Sequence, residues 1–569
     1  MNKRQRRTGA CLILGGAMLC VLIRTRRLCQ PYKEQEIAFS LEESFYSEDQ
    51  ELQLSTLLDS DIYFTMDGSL PDKNAQLYRE PVKLTAGKEP KAVTIRAAAY
   101  YGEGAASEIY TKTYFLGNEI EERFSTKIVS ITGEPESFYG YDQGILVPGR
   151  IRDEYVFENP GVEFTDTAPA NYNLRGMESE RPVHVEIWEA DGTEIVSQDM
   201  GVRVYGGTSR GNDMKSLRLI ARKDYGEGRI SYEIFPESVS DWTGKTIAEY
   251  KRLVLRNHGN DHEKAYLRNE LGHRLAKDAG FLDTQEFCGA SVWLNGEYYG
   301  FEWLEENYDQ VYFETHYGTK SGEGSWQILS PHRGNANTDL EDEAEAQAAW
   351  DFNLMYAYRY QDLRDDLVFA KLEEQLDVDN FLKYCAIEIY LSNPDWPDNN
   401  CKAYRWHGAG NHYNGPYLDG RWRFLLYDLD VGMERTGSSR ADNPSLGEVL
   451  GEEESSWNRE EPLLRAILQR EDMRKRFTEI MEELMEGAFS YEHACRVIEG
   501  MQREMERELE FQMRLVSQQN AEEFLDAEEA YQHQKMVYEE EIEKIKEFFR
   551  LRPEVMEKEL MRLSSPSRG

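Results

Sequence analysis

The period of the apolar positions changes along the chain, and the changes divide it. Between about residues 36 and 116 short alternating runs dominate: ELQLS (51–55), DIYFTMDG (61–68), PVKL (81–84) and AVTIRAAAY (92–100). Asp67-Gly68, Leu70-Pro71 and Gly102 separate them. Strands of this length with turns at short intervals predict a small all-β sandwich. From residue 125 onward the alternation resumes in KIVSITG (127–133), GILVPGR (144–150), PVHVEIWEADG (182–192), GVRVYGGTSR (201–210), SLRLIARKDYG (216–226) and RLVLRNHG (252–259). Each of these reads as strand and turn. The period then lengthens. Leu267, Leu271 and Leu275 share one face, which predicts a helix over 264–279 with Gly280 as its stop.

SVWLNGEYYGFEWLEE predicts a hairpin turning at Asn295-Gly296. DVDNFLKYCAIEIYLSN (377–393) predicts an amphipathic helix ending at Pro394. An Asp/Asn-rich loop and a strand, RWRFLLYDLD (421–430), follow, and then a helical block. In that block Ile498, Met501, Met505 and Leu509 form one stripe and Tyr538, Ile542, Ile545 and Phe549 another, both packing faces. The fold class is α+β, with three parts: an N-terminal segment (1–30), the sandwich (36–116) and the main domain (125–560).

The N-terminal segment has its own chemistry. Lys3, Arg4, Arg6 and Arg7 precede the uncharged stretch Thr8–Ile23, and Arg24, Arg26 and Arg27 close it. A spanning helix wants about 20 apolar residues, so this one is short. Leu19 stands before Cys20 where a lipoprotein signal wants a small residue. An uncleaved signal anchor, an apolar helix holding the chain at a membrane, is the expectation, ahead of a cleaved signal peptide or a surface-lying helix.

Charge narrows the partners. The 569 residues carry a formal net charge of −39, concentrated outside the basic N-terminus. Such a surface repels a phosphate backbone, so no nucleic-acid partner is expected. The seven cysteines form no CxxC pair, which argues against a structural zinc site and a disulfide framework.

Two clusters carry candidate chemistry. NPDWPDNNCKAYR (393–405) places Asp395 and Asn400 five apart directly after a helix. Protein-kinase catalytic loops use that spacing, with an Asp to accept the substrate hydroxyl proton and an Asn to hold Mg²⁺. A plain turn-forming loop is the bland alternative. FLLYDLDVGM (424–433) delivers Asp428 and Asp430 at the end of an apolar run, where two carboxylates make sense if a cation offsets them. Upstream, Gly206, Gly207 and Ser209 in RVYGGTSR form a turn whose backbone could approach phosphates. Lys215 lies on the strand after it, and Glu270 on the following helix could pair with that lysine. The order is glycine turn, Lys, helix with Glu, hairpin, helix, D-x-x-x-x-N, D-x-D.

In that order the strings GVRVYGGTSRGNDMKSLRLIARKDYG, VWLNGEYYGFEWLEEN, NPDWPDNN and YDLDVG resemble the spore-coat-protein-H (CotH) kinase-like family. IYFTMDGSLPD, LYREPVKL and TIRAAAYYGEGAAS resemble the small β-sandwich module at the C-terminus of chitobiases and hexosaminidases. The first resemblance implies an atypical two-lobed protein-kinase-like domain that binds ATP with Mg²⁺ or Mn²⁺ and phosphorylates serine or threonine hydroxyls of a surface or coat protein with serine-rich segments. It implies Asp395 as the catalytic aspartate and Asn400 and Asp428, with Asp430 beside them, as metal ligands. Lys215 and the glycine turn would hold phosphates, with Glu305 close to the nucleotide. Tyr427 stands where the family often has Trp. The expected location is the extracytoplasmic face of a bacterial membrane or a spore envelope. The rival reading is a surface scaffold or adhesin that keeps the fold without transfer.

Overall fold

The computed structural model describes residues 37–564 except 103–104, 241, 321, 409–416, 456, 458, 520–523 and 525. The chain divides into two compact units, Met1–Ile120 and Glu121–Gly569. The expected anchor (1–30) lies outside the described residues. No helix among the described residues is long and apolar enough to cross a membrane.

In the first unit the long strand Lys91–Tyr101 pairs antiparallel with Tyr110–Leu116 on one side and Asp61–Thr65 on the other. Gln50–Leu52 pairs with Val82–Leu84, and Ala38–Phe39 with Leu54–Ser55. Alternate residues face inward, so Leu52, Ile62, Phe64, Leu84, Ile95, Tyr114 and Leu116 make its core.

The second unit opens with a closed barrel of seven strands: β1 (Lys127–Thr132), β2 (Arg181–Trp188), β3 (Glu194–Val204), β4 (Leu217–Ile220), β5 (Arg252–Arg256), β6 (Phe287–Leu294) and β7 (Glu297–Glu306), in the order β1-β2-β3-β4-β5-β7-β6. Neighbours are antiparallel except that β6 returns beside β1 in parallel, which closes the ring and leaves no edge. Val129, Ile131, Val185, Val202, Leu217, Leu219, Leu253, Leu255, Val292 and Leu304 belong to the buried core that fills it. Asn295 and Gly296, with φ of 50° and 86°, make the predicted β6–β7 turn. GILVPGR is not a strand: a turn carries it to Pro148, which caps the helix Gly149–Glu158. Proline and glycine at its end override the alternation before it.

Helix α1 (Arg268–Asp278) follows β5, with Leu271 and Leu275 fully buried. A second, α-rich core contains α2 (Val378–Tyr390), α3 (Glu471–Glu486), α4 (Tyr491–Gln519) and α5 (Ala527–Ser564). Both predicted stripes of α4 and α5 are buried in it. A three-stranded sheet, β8 (Gly324–Leu329), β9 (Lys402–Gly408) and β10 (Arg423–Leu425), sits beside α2. The strand expected over 421–430 is only these last three residues. Beyond them Asp428 takes a left-handed φ of 60°, which ends any ladder. Buried Arg552 of α5 donates to the carbonyls of Ile389 and Tyr390, satisfying orphan groups at the C-terminus of α2.

Barrel and helices share one framework. Gln512 of α4 accepts from the Phe301 amide at 2.8 Å, and Arg123 pairs with buried Glu508 of α4 at 2.6 Å.

Candidate active site

Five segments converge where the barrel meets the α-rich part: the end of β5, the start of α1, the end of β7, the loop after α2 and the loop after β10. Asn393 fixes the loop after α2. Its Nδ2 donates to Glu388 of α2 at 2.9 Å, and its Oδ1 accepts from the Asp395 amide at 3.2 Å. Arg459 donates to the Asn393 carbonyl at 3.1 Å. Glu388 is fully buried, and burial pushes its carboxyl up to about 8. Asp395 is held by two amides: Asn399 Nδ2 donates to Oδ1 at 3.1 Å and Asn400 Nδ2 to Oδ2 at 2.7 Å. Burial raises the Asp395 pKa, against the lowering effect of the Asn399 bond.

Asn400 also ties this loop to the one after β10. Its Nδ2 lies 3.5 Å from the Asp428 carbonyl oxygen, and both residues take left-handed φ values of 53° and 60°. Asp395, Asn400 and Asp428, predicted from two separate strings, are thus one connected group.

The cation facing them is not the predicted one. Arg256, the last residue of β5, donates through Nη2 to Asp428 Oδ1 and Asp430 Oδ2, both at 2.6 Å. Its Nε faces Glu270 Oε1 at 3.6 Å and Glu305 Oε1 at 3.9 Å. Burial would depress this guanidinium, but the surrounding carboxylates, Asp428 and Asp430 foremost, hold its pKa well above the ordinary value. Burial lifts both Glu270 and Glu305 as well, Glu305 further because Glu270 stands beside it. Asn269 Nδ2 bridges the two at 3.2 Å each, and its Oδ1 accepts from the Leu429 amide.

Lys215 is elsewhere. Its Nζ donates to the Asn212 carbonyl at 2.6 Å and lies 4.5 Å from the Tyr172 ring centroid, so the expected pairing with Glu270 gives way to Arg256–Glu270. The reason is the face of the sheet: Leu217 and Leu255 pair and both point into the barrel core, so Lys215 alternates in phase with the core face, whereas Arg256, at almost the same level on the next strand, alternates onto the other face. Buried Lys215 is pushed down to about 8. The glycine turn is as expected in shape. Gly206 has φ 99°, and a Cβ there would meet Ser209 Oγ at 2.6 Å. Arg210 fills the turn from inside, donating to the Val204, Gly206, Tyr172 and Leu174 carbonyls. Asn257 Nδ2 reaches the Ser209 carbonyl at 3.4 Å, so this turn abuts the end of β5.

The donor set fits a divalent cation brought with phosphates. Such a cation takes one or two carboxylates, with phosphate oxygens completing it. The Asp428 side chain is 30% exposed. Asn400 spends its NH₂ on Asp395 and the Asp428 carbonyl, which leaves its carbonyl oxygen as a ligand. Asp430 is different: 1% exposed, it accepts from Arg256 and from Asn260 N and Nδ2, so it orients the loop rather than offering a free ligand. No group of three His, Cys, Asp or Glu among the described residues forms a metal site unaided. A cavity of about 1350 Å³ lined by Arg465, Arg474 and Lys475 shares no residue with this cluster.

Sequence reading passes over Arg256, Asn269 and Glu388. For Arg256 the available signal is an apolar strand ending in a cation just before His258-Gly259. Periodicity gives no sign of Asn269 or Glu388, which sit among helix residues.

Two family models match the chain. The model of the CotH kinase protein family matches residues 202–556, and the Fn3-associated family matches residues 51–114. No curated protein matches the chain. The larger match covers more than half the chain and spans the glycine turn, Arg256, Asp395, Asn400 and Asp428: the chain belongs to the CotH kinase protein family, with an N-terminal β-sandwich module.

Proposed function

We propose that the chain is an atypical protein kinase that moves the γ-phosphoryl group of ATP to a serine or threonine hydroxyl of a surface or coat protein. The observation that carries this reading is the hydrogen-bonded group Asp395–Asn400–Asp428 facing the Arg256–Glu270 ion pair. In protein kinases a strand cation paired with a helix glutamate faces a metal-binding aspartate and a catalytic loop. Here the barrel and the α-rich part take the places of the two lobes.

Asp395 would accept the hydroxyl proton; both its carboxylate oxygens are oriented by amides and burial raises its basicity, which supports that role. Asn400 and Asp428 would hold Mg²⁺ or Mn²⁺, which neutralises triphosphate charge when bound. Arg256 is the residue to exchange its contact with Asp428 for a phosphate oxygen. Positioning and charge complementarity do most of the work in such transfers. One observation favours the scaffold reading. Arg256 already bonds both aspartates, so each has a cationic partner without metal. Residues 1–30 would tether the protein at a membrane, with the domain at a bacterial cell surface or spore envelope.

The test is incorporation of labelled γ-phosphate into protein serine or threonine by the full chain with Mg²⁺ or Mn²⁺, alongside calorimetric titration with MgATP. Binding and transfer support the kinase. A folded wild type that binds no MgATP replaces it with the scaffold.

A further inference from the structure

Beside Asp428 lies a second group of side chains with an unusual charge balance. Tyr205, just past the end of β3, and Tyr427, just before Asp428, meet through their hydroxyls at 2.7 Å. Each ring carries a cation. The Arg218 guanidinium of β4 sits 4.1 Å from the Tyr205 centroid, and Lys402 Nζ of β9 sits 4.2 Å from the Tyr427 centroid. Both cations are half-buried. Neither has a carboxylate within ion-pair distance among the described residues. Lys402 donates to Ser330 Oγ at 3.1 Å, and Arg218 Nε is buried with no partner. Across the β3–β4 ladder the residue opposite Arg218 is Arg203, whose charge is met by buried Glu180, so Glu180 serves Arg203 and leaves Arg218 without a carboxylate.

In a chain with a net charge of −39, two neighbouring half-buried cations without a carboxylate are costly. An anionic ligand would relieve both. The pair stands between the strand that follows the glycine turn and the loop that carries Asp428, so the ligand is one that reaches the metal-ligating aspartate.

We propose that Arg218 and Lys402, set on the Tyr205–Tyr427 pair, form a phosphoryl-binding subsite. The inference deepens the kinase reading by assigning the phosphoryl cation role to residues from both parts of the domain. The ligand is a phosphoryl group, either the tail of a nucleotide or the phosphate on a modified serine.

The test is calorimetric titration of the full chain with tripolyphosphate, ATP, AMP, adenosine and phosphoserine. The variants are Arg218→Gln and Lys402→Gln, with Arg218→Lys and Lys402→Arg as charge-retaining partners. Each Gln variant is expected to lose roughly ten- to a hundred-fold in affinity for tripolyphosphate and ATP, the scale of a charge-assisted hydrogen bond. Adenosine affinity should be unchanged, and the charge-retaining variants should recover most of the loss. Selective loss of ATP over AMP assigns the subsite to the nucleotide tail, and selective loss of phosphoserine assigns it to the product. Equal affinity of wild type and Gln variants for every phosphate overturns the proposal, as does a wild type that binds none of them. If tripolyphosphate binding depends on the pair but no phosphate is ever transferred, the subsite stands and the kinase reading falls.

Discussion

At the residue scale the site turns on Arg256. Four carboxyl groups surround it, and Asp430, Glu270 and Glu305 are almost fully buried. Removing one partner from a buried ionic group leaves uncompensated charge, at a cost of roughly 3–5 kcal/mol. Arg256→Ala should therefore lower stability by about that amount in denaturant unfolding; loss of less than about 1 kcal/mol would mean the carboxyls are already protonated. Asp428 and Asp395 separate by role. Asp428→Ala should weaken MgATP binding and transfer together. Asp395→Asn keeps the amide bonds in part and should spare affinity within a few-fold, while transfer falls by roughly 10²–10⁴. Titration and transfer assays on the same preparations check both, and wild-type transfer by Asp395→Asn would remove it from the catalytic role. Asp395 and Asn400 are legible in the sequence because a spacing of five keeps both on one loop, and Asp428 because it ends an apolar run; that the two loops meet is a tertiary contact. Arg256 is not legible, because its meeting with Glu270 depends on barrel register, which fixes where each strand ends relative to α1. Lys215, one strand earlier and at nearly the same level, has the right residue type on the wrong face of the sheet.

At the element scale, buried polar residues join the pieces that periodicity finds. Alternation and 3.6-residue stripes locate β2, β5, α1, α2 and the buried faces of α4 and α5. They do not show that seven strands close into a barrel, because closure depends on the parallel return of β6 beside β1, a long-range pairing without local signal. Asp283 is one such join. Fully buried, it accepts from Tyr317 at 2.7 Å, from Tyr404 of β9 at 2.5 Å and from Asn380 of α2 at 2.6 Å. Burial pushes it up to about 6. The folded state therefore keeps a proton that an unfolded Asp releases near 4, so stability falls as pH rises from about 4 to about 6 and is flat beyond. The full contribution of such a shift is on the order of 3 kcal/mol. Unfolding free energies of wild type and Asp283→Asn across that window should differ in slope, with the variant lacking this fall; parallel curves would show that Asp283 does not titrate there. Gly259 is a second join. At φ 57° a Cβ would stand 1.9 Å from Asp430 Oδ2, so Gly259→Ala should displace the Asp430 loop and weaken MgATP binding as well as stability.

At the scale of the whole molecule, every residue of the candidate site lies in the unit Glu121–Gly569, and the CotH kinase match begins at residue 202. The first unit has its own core. A fragment beginning at Glu121 should then bind MgATP with the affinity of the full chain. Where it begins matters, for a physical reason the sequence hides. Reading strand patterns places the start of the main domain at 125, because nothing periodic precedes KIVSITG. The structure places Arg123 inside: its side chain is 3% exposed, pairs with Glu508 of α4 at 2.6 Å and stacks 3.4 Å from the Phe511 ring centroid. Glu508 is completely buried, and burial raises its pKa even with the arginine present. A fragment starting at residue 125 loses the arginine and strands that carboxyl in α4, the helix that also holds the β7 backbone through Gln512. Breaking such a pair costs roughly 3–5 kcal/mol. The two fragments differ by four residues, yet the shorter one should unfold at clearly lower denaturant. The substitution Glu508→Gln, a neutral isostere, should recover part of the difference in the shorter fragment, because it removes the buried charge that has lost its partner. Equal midpoints for the two fragments would show that Arg123 is not part of the folded unit. Loss of MgATP binding from a folded Glu121 fragment would show that the sandwich completes the site.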